Sequence, residues 1–361
     1  MVGIIGGGPA GLMCAYHLSK KGIKTTIYEE HKTIGKPIQC SGIVTKDILK
    51  TINISKETII NRINYVKVFP NISDKLNAKL KINDYIIDRT KFDNQIKDMA
   101  LNAGAKIFYN KKIININKKN NLYFLKTKND LFKHKTVISA EGAYSKGREY
   151  INNIKPKYYF GKQFIIKGEF KKDTISVFLG DKKQQFFSWI IPENENIARI
   201  GSCSISNPSL ILSNLLKNNK LDKNKILATQ AGLIPIYNPK IKTQKDNFYL
   251  VGDSAAQVKA TTGGGIIQGL ISSKILADCI LNKKNYEKQW RKKIGKELLM
   301  HLYIRKILNK FTNKDNTDLI KMASKNEDIF LKYNRDNSIK LITSLLFREP
   351  RLLKFTKKIL F

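Results

Sequence analysis

The stretch Val2-Gly3-Ile4-Ile5-Gly6-Gly7-Gly8-Pro9-Ala10-Gly11 decides the fold. Its first four residues read as a short strand, and residues 9–20 read as the helix after a tight turn. Residues 24–29 read as a second strand parallel to the first, which completes a strand–helix–strand unit. Between strand and helix the glycines fit G-x-G-x-x-G. Gly6 permits the turn, Gly8 lets a pyrophosphate approach the backbone, and Gly11 packs helix against strand. The helix N-terminus adds free N–H groups and a positive dipole end. Glu29 ends the second strand, 18 residues beyond Gly11. A carboxylate there accepts hydrogen bonds from ribose hydroxyls and repels a 2′-phosphate. Gly3 is an irregularity, because an apolar residue would pack better inside a strand.

A second signal is Gly252-Asp253-Ser254-Ala255-Ala256, which follows a strand at 247–251 and leads to Thr261-Thr262-Gly263-Gly264-Gly265-Ile266. A carboxylate at a strand end, followed by N–H groups at a helix start, suits a ribitol hydroxyl and a second phosphate. Asp253 as a helix cap is the plainer reading, but capping leaves the Gly-Gly-Gly run unexplained. The two motifs in this order point to FAD rather than NAD.

With 361 residues, 42% of them apolar, the chain has room for about two domains of roughly 150 residues. Its formal charge is +37, from 66 Lys and Arg against 29 Asp and Glu. Such an excess attracts polyanions, whether nucleic acid, anionic headgroups or phosphorylated substrates. Lysine is spread from Lys20 to Lys358, however, so the excess reads first as a chain-wide bias. The four cysteines (Cys14, Cys40, Cys203, Cys279) form no C-x-x-C pair. A glycine motif opening at Gly6 leaves no room for a secretory leader, so reduced thiols in the cytoplasm are expected. No 18-residue apolar run is present, and no membrane-spanning helix is expected. His17, His31, His134 and His301 are scattered, with no Ser–His–Asp set and no metal cluster, and are expected mostly at the surface.

Further along, residues 65–87 alternate weakly, as antiparallel strands do, and 91–103 have helical spacing ending at Gly104. Residues 137–140 form an apolar strand. Between 158 and 206, aromatic and β-branched residues alternate with turn signals at Gly168, Gly180-Asp181 and 193–196, the pattern of an antiparallel sheet in an inserted domain. A helix runs to about Leu281, and the last eighty residues read as basic amphipathic helices. The expected fold is α/β with an α+β second domain. Residues 1–64, 86–150 and 238–281 form a Rossmann-like FAD-binding domain. Residues 65–85 and 151–237 form a substrate-binding antiparallel sheet, and 282–361 form a C-terminal helical region.

These motifs occur together with Pro37-Ile38-Gln39-Cys40-Ser41-Gly42 and Gln257-Val258-Lys259-Ala260-Thr261-Thr262-Gly263-Gly264-Gly265. In that combination the chain resembles the geranylgeranyl reductase family of flavoproteins, most of all its archaeal digeranylgeranylglycerophospholipid reductases, over residues 1–281. The resemblance implies the aromatic-hydroxylase type of fold, with FAD as cofactor. It implies that Gly6, Gly8, Ala10 and Gly11 hold the pyrophosphate and Glu29 the adenosine ribose. Cys40, Ser41 and Gly42 would form the loop beside the flavin. Arg89 would contact the cofactor, and Ile113 would meet the adenine through its backbone. Asp253, Gly264, Gly265 and Ile266 would hold the ribitol and the isoalloxazine edge. Gly232 and Pro235 match a short family motif. The family's substrate strand, Tyr-x-Trp-x-Phe-Pro, stands here as Phe187-Ser188-Trp189-Ile190-Ile191-Pro192, so Phe187, Trp189 and Pro192 would line a prenyl tunnel. Phe187 lacks the family's hydroxyl, Ile191 its aromatic ring, and Ala260 replaces its usual proline.

The activity so implied is FAD-dependent reduction of isolated double bonds in the geranylgeranyl chains of archaeal-type glycerophospholipids. Electrons would come from NAD(P)H or ferredoxin, and Cys40 is the candidate to shape or protonate the site. The expected location is cytoplasmic, or peripheral on the inner face of the membrane, where the basic segment 339–361 would meet anionic lipid. Packing of that segment on the core is the alternative, since soluble proteins also cover themselves with such helices. Two rival functions exist. A flavin monooxygenase of an aromatic or polyprenyl compound usually carries His-Pro after Gly-Asp-Ala-Ala, where this chain has Ala256 and Gln257. A nucleic-acid-binding protein would need a clustered basic face and a binding signature that the sequence lacks, so nucleic acid is not an expected partner.

Overall fold

The computed structural model describes residues 1–70, 75–154, 156–333, 336 and 338–359. Residues 71–74, inside the strand pair expected over 65–87, and the last two residues of the expected C-terminal helix lie outside the described residues. The chain divides into two compact units. One contains Met1–Ile38, Arg89–Lys157 and Pro235–Leu298, and the other Gln39–Asp88, Tyr158–Ile234 and Leu299–Phe361.

The first unit is built on a six-stranded sheet. Its order is Gln244–Lys245, Phe248–Leu250, Thr136–Ser139, Val2–Ile5, Thr25–Tyr28, Lys106–Phe108. All neighbours are parallel except the first pair. The strands Val-Gly-Ile-Ile, Thr-Thr-Ile-Tyr and Phe-Tyr-Leu are buried along their whole length, as a sheet covered on both faces requires. The helices Pro9–Ser19, Arg89–Asn102 and Ile266–Leu281 pack together on one face. On the other lies a three-stranded meander, Asn115–Lys119, Leu122–Lys126 and Leu131–His134. Ile5, Tyr28 and Val137 pack there against Ile116, Tyr123 and Leu125. The sequence reading did not anticipate this meander.

The second unit carries an eight-stranded sheet in the order Ile226–Pro235, Tyr158–Lys167, Ile197–Ser204, Phe187–Pro192, Thr174–Leu179, Ile59–Phe69, Leu76–Ile87, Ile43–Val44. Neighbours are antiparallel from Tyr158–Lys167 to Thr174–Leu179 and again from Ile59–Phe69 to Ile43–Val44. Between these two runs Thr174–Leu179 and Ile59–Phe69 pair in parallel. The expected antiparallel sheet thus also contains one parallel pair. The two parallel strands are remote in sequence, so no hairpin turn dictates their direction. The helix Ser209–Asn218 covers part of one face by setting Leu212, Leu215 and Leu216 on Ile166, Ala198 and Ile200.

The unit boundaries also differ from those read in the sequence. Residues 39–64 pack with the larger sheet, because Ile43–Val44 pairs with Leu76–Ile87 and the long strand starts at Ile59. The C-terminal region is not one body. Residues up to Leu298 pack with the first unit, where fully buried Trp290 donates to Thr243 Oγ1 at 2.8 Å. From Leu299 onward the chain belongs to the second.

Candidate functional site

The glycine turn separates structural demands from a ligand's. Gly6 has φ +97°, and a Cβ there would stand 2.4 Å from the Ala140 carbonyl oxygen. A Cβ on Gly11 would stand 2.1 Å from the Gly6 oxygen. Packing alone fixes both glycines. A Cβ on Gly8 would meet nothing within 4 Å, so that glycine faces open space. No side chain caps the helix Pro9–Ser19, whose first bond runs from Leu12 N–H to Gly8 C=O at 3.0 Å. The Ala10 and Gly11 amides are thereby left for an anion.

Glu29 is buried at the end of the second strand. It accepts Gly7 N–H at 2.6 Å, and its other oxygen faces the His31 backbone N–H at 2.9 Å and ring Nδ1 at 2.6 Å. A carboxylate offers about four lone-pair sites, so the group is held rigidly with capacity to spare. Among the described residues the Ile113 backbone has no hydrogen-bond partner, while Lys111 N–H bonds Glu29 C=O and Ile114 N–H bonds Lys126 C=O. That leaves a free backbone edge in the strand-end region of Glu29.

The second motif closes on the first. A Cβ on Gly252 would lie 2.9 Å from the Ala10 Cβ, and Ser273 Oγ donates to the Ala10 carbonyl at 2.8 Å. Two segments far apart in the sequence thus meet at the first turn of the first helix. A Cβ on Gly265 would stand 2.8 Å from Asp253 Oδ1, so the carboxylate lies against the uncapped start of the helix Ile266–Leu281. Burial pushes the Asp253 carboxyl above the usual range, opposed by the charges of Arg148 and Arg89. Arg89 forms a two-pronged pair with Asp93 at 2.9 and 3.1 Å. Lys259 is buried with its Cε near the Gly264 backbone.

Sequence reasoning missed several parts of this frame. Buried Arg148 donates through Nε to the Ser254 carbonyl at 2.7 Å and steadies the turn that carries Asp253. Gln257 accepts Gly252 N–H at 2.8 Å and donates to Tyr286 Oη at 3.0 Å. No motif surrounds Arg148, so only coordinates could reveal it. The histidines also depart from expectation, since His134 and His301 are buried. All four cysteines are free.

Cys40, Ser41, Gly42, Phe187, Trp189 and Pro192 lie in the second unit, while the remaining site residues lie in the first. Within the second unit, Gln163 ties the Cys40 loop to the sheet. Its Nε2 donates to the Cys40 carbonyl at 3.2 Å and to Gln230 Oε1 at 2.5 Å, while its Oε1 accepts Trp189 Nε1–H at 3.2 Å. The Trp189 ring lies across Gly201, where a Cβ would approach it to 2.3 Å. Phe187 meets Trp189 edge-on, with ring centres 5.8 Å apart. Arg199 donates to the Ser41 carbonyl at 2.6 Å and pairs with Glu193 at 2.6 Å. Gly42, at φ +72°, has no room for a side chain beside that guanidinium. The Cys40 sulfur accepts Gly42 N–H at 3.3 Å, and the Pro192 carbonyl accepts Asn61 Nδ2–H at 2.9 Å.

Open space at Gly8, two uncapped helix starts and carboxylates at two strand ends fit a dinucleotide with a ribityl arm. Fold and site define a dinucleotide-dependent oxidoreductase, and FAD is the cofactor that these residues fit. The family of pyridine nucleotide-disulphide oxidoreductases matches over residues 3–164. An uncharacterized protein of Methanocaldococcus jannaschii is 30% identical over 90% of this chain and 88% of its own. The digeranylgeranylglycerophospholipid reductase of the same organism is 28% identical over 99% of this chain and 97% of its own. Among solved structures, a geranylgeranyl bacteriochlorophyll reductase-like protein from Thermoplasma acidophilum superposes with a TM-score of 0.84. It is 21% identical and covers 98% of this chain and 97% of its own. The chain belongs to one family with the uncharacterized Methanocaldococcus jannaschii protein, and over nearly its full length it is similar to proteins named digeranylgeranylglycerophospholipid reductase.

Proposed function

We propose that this protein reduces isolated double bonds in the geranylgeranyl chains of an archaeal-type glycerophospholipid. The observation that carries the reading is the meeting of the two motifs over Ala10, through Gly252 and Ser273. It is supported by near full-length similarity to proteins named digeranylgeranylglycerophospholipid reductase. FAD, when bound and reduced, would supply the hydride that the reaction needs.

The chain's own residues bind and orient. The Ala10 and Gly11 amides hold the pyrophosphate beside Gly8, Glu29 and the Ile113 backbone hold the adenosine, and Arg89 adds positive charge. Asp253, with the backbone of Gly264, Gly265 and Ile266, holds the ribitol and the ring edge. An isolated alkene offers no charge to grip, so catalysis rests on alignment in a dry apolar environment. Phe187, Trp189 and Pro192 supply apolar lining, with Trp189 fixed by Gln163. Cys40 gives a proton to the second alkene carbon and regains it from solvent. A lipid substrate and an electron donor, NAD(P)H or ferredoxin, are the partners, and the work is done in the cytoplasm or at the inner membrane face.

The test is anaerobic reduction of the purified flavoprotein with dithionite, then incubation with geranylgeranylated glycerophospholipid. Lipid mass should rise in steps of one hydrogen pair while the flavin reoxidises. Unchanged lipid beside fully reduced flavin removes the proposal.

A further inference from the structure

The C-terminal helix Ser338–Arg348 has the sequence Ser-Ile-Lys-Leu-Ile-Thr-Ser-Leu-Leu-Phe-Arg. It is rich in aliphatic residues, yet Ser338 is the one fully buried side chain it contains. Leu341, Ile342, Leu345 and Leu346 are only half-buried, and Phe347 is 88% exposed. A helix meant for the core would cover at least one aliphatic turn completely. The next segment, Pro350–Ile359, shows what held and unheld faces look like in one stretch. Phe355 is buried against the ring of Phe311, with centres 4.7 Å apart, while Leu353 two residues earlier is 52% exposed.

Charge accompanies this apolar surface. From residue 338 to the end the chain has six Lys and Arg against one acidic residue, Glu349. A groove of about 650 Å³ runs between this segment and the helix Asn313–Ser324, with Met322 and Leu353 among its apolar lining and Lys321, Lys325 and Lys357 among its basic lining. None of those three lysines pairs with a carboxylate among the described residues. Asp318, also at the groove, is already paired with Lys354 at 2.8 Å.

Exposed large apolar side chains beside unpaired lysines are complementary to an anionic bilayer, whose surface attracts ammonium groups and whose interior accepts phenyl and isobutyl groups. The geometry points to a membrane-docking face formed by residues 338–359 together with Lys321 and Lys325, with Phe347 and Leu353 entering the acyl boundary and the groove lysines holding lipid phosphates. This face does not depend on the proposed reaction, and its test needs no turnover.

The flavin-loaded protein is floated with vesicles of phosphatidylglycerol mixed with phosphatidylcholine, and separately with phosphatidylcholine alone. It should bind the mixed vesicles, bind the neutral ones weakly, and dissociate as salt rises. Phe347→Ser with Leu353→Ser, and separately Lys321→Ala with Lys325→Ala and Lys357→Ala, should each weaken binding about tenfold or more. Flavin content should stay at the wild-type level, because all five side chains lie on the surface. As a second readout, Phe347→Trp should give emission that mixed vesicles shift to the blue and brominated lipid quenches. The proposal is overturned if wild-type protein ignores mixed vesicles, or if the variants bind as well as it does. It is also overturned if the serine pair breaks a dimer without touching vesicle binding, or if the same lysines capture RNA while vesicles stay free.

Discussion

Gly3, which packs poorly as a strand residue, has its explanation in His134. The imidazole lies over the glycine so closely that a Cβ would stand 2.6 Å from Cδ2. The ring is fixed there by its Nε2 contact with Tyr28 Oη at 2.8 Å. Gly3→Ala should therefore destabilise the protein by about 1–3 kcal/mol, the usual cost of overpacking a rigid site. Urea unfolding measures this, and His134→Ala in the same chain should recover part of the loss. An unchanged midpoint in Gly3→Ala would mean that the ring moves freely. Burial also pushes the His134 pKa down to about 4 from 6.5. The unfolded chain takes up this proton below about 6.5 and the folded chain only below about 4, so stability falls as pH drops through that window. Thermal midpoints should fall less steeply across it in His134→Gln than in the wild type. Equal slopes would clear His134 of the effect.

The strand–turn–helix element at the start of the chain makes a sharper comparison. Gly8 faces open space in extended backbone, with φ −76° and ψ 175°, so Gly8→Val should fold with little change in melting temperature. Its side chain should nonetheless displace the pyrophosphate. Losing even one charge-assisted hydrogen bond costs about 1.5–3 kcal/mol, so flavin affinity should drop about tenfold or more. Gly11→Ala should do the reverse damage and lower stability outright, because its Cβ has no room beside the Gly6 oxygen. Flavin titration beside thermal denaturation separates the two, and equal flavin affinity in Gly8→Val would sink the cofactor assignment at this turn. The contrast also shows what was legible in the sequence. The glycines, Glu29 and Asp253 could be singled out in the sequence because backbone reach and charge at element ends are features that short motifs encode. The meander was not, since Asn115–Lys119 is polar along almost its whole length and buries one residue of five. The parallel pairing of Thr174–Leu179 with Ile59–Phe69 was hidden too, because strand direction depends on distant chain and leaves no local pattern. Arg148 and Gln163 act on carbonyl groups far away in sequence, and a hydrogen bond to a remote backbone has no signature.

On the scale of the whole molecule, the charge is the property with the largest unbalanced sum. Lys and Arg exceed Asp and Glu by 37, so even complete pairing of the acids leaves that many cations to repel one another. Two opposed effects follow when salt is added. Exposed ion pairs such as Lys146–Glu149 and Lys172–Glu195 are weakened, but each is worth only about 0–1 kcal/mol. Repulsion among the surplus cations acts over longer distances and is cut as the screening length shrinks from about 30 Å at 0.01 M to about 3 Å at 1 M. Self-repulsion of this kind opposes the compact state, so its removal should outweigh the lost pairs. The thermal midpoint should therefore rise steadily with sodium chloride from about 0.01 M to about 0.5 M, where screening acts ahead of Hofmeister effects. Vesicle binding by the C-terminal face should weaken over the same range, because the same screening acts on attraction and repulsion alike. A midpoint that falls with salt would show that the cations are arranged to avoid one another, and that local pairing rather than the chain-wide excess governs this protein's stability.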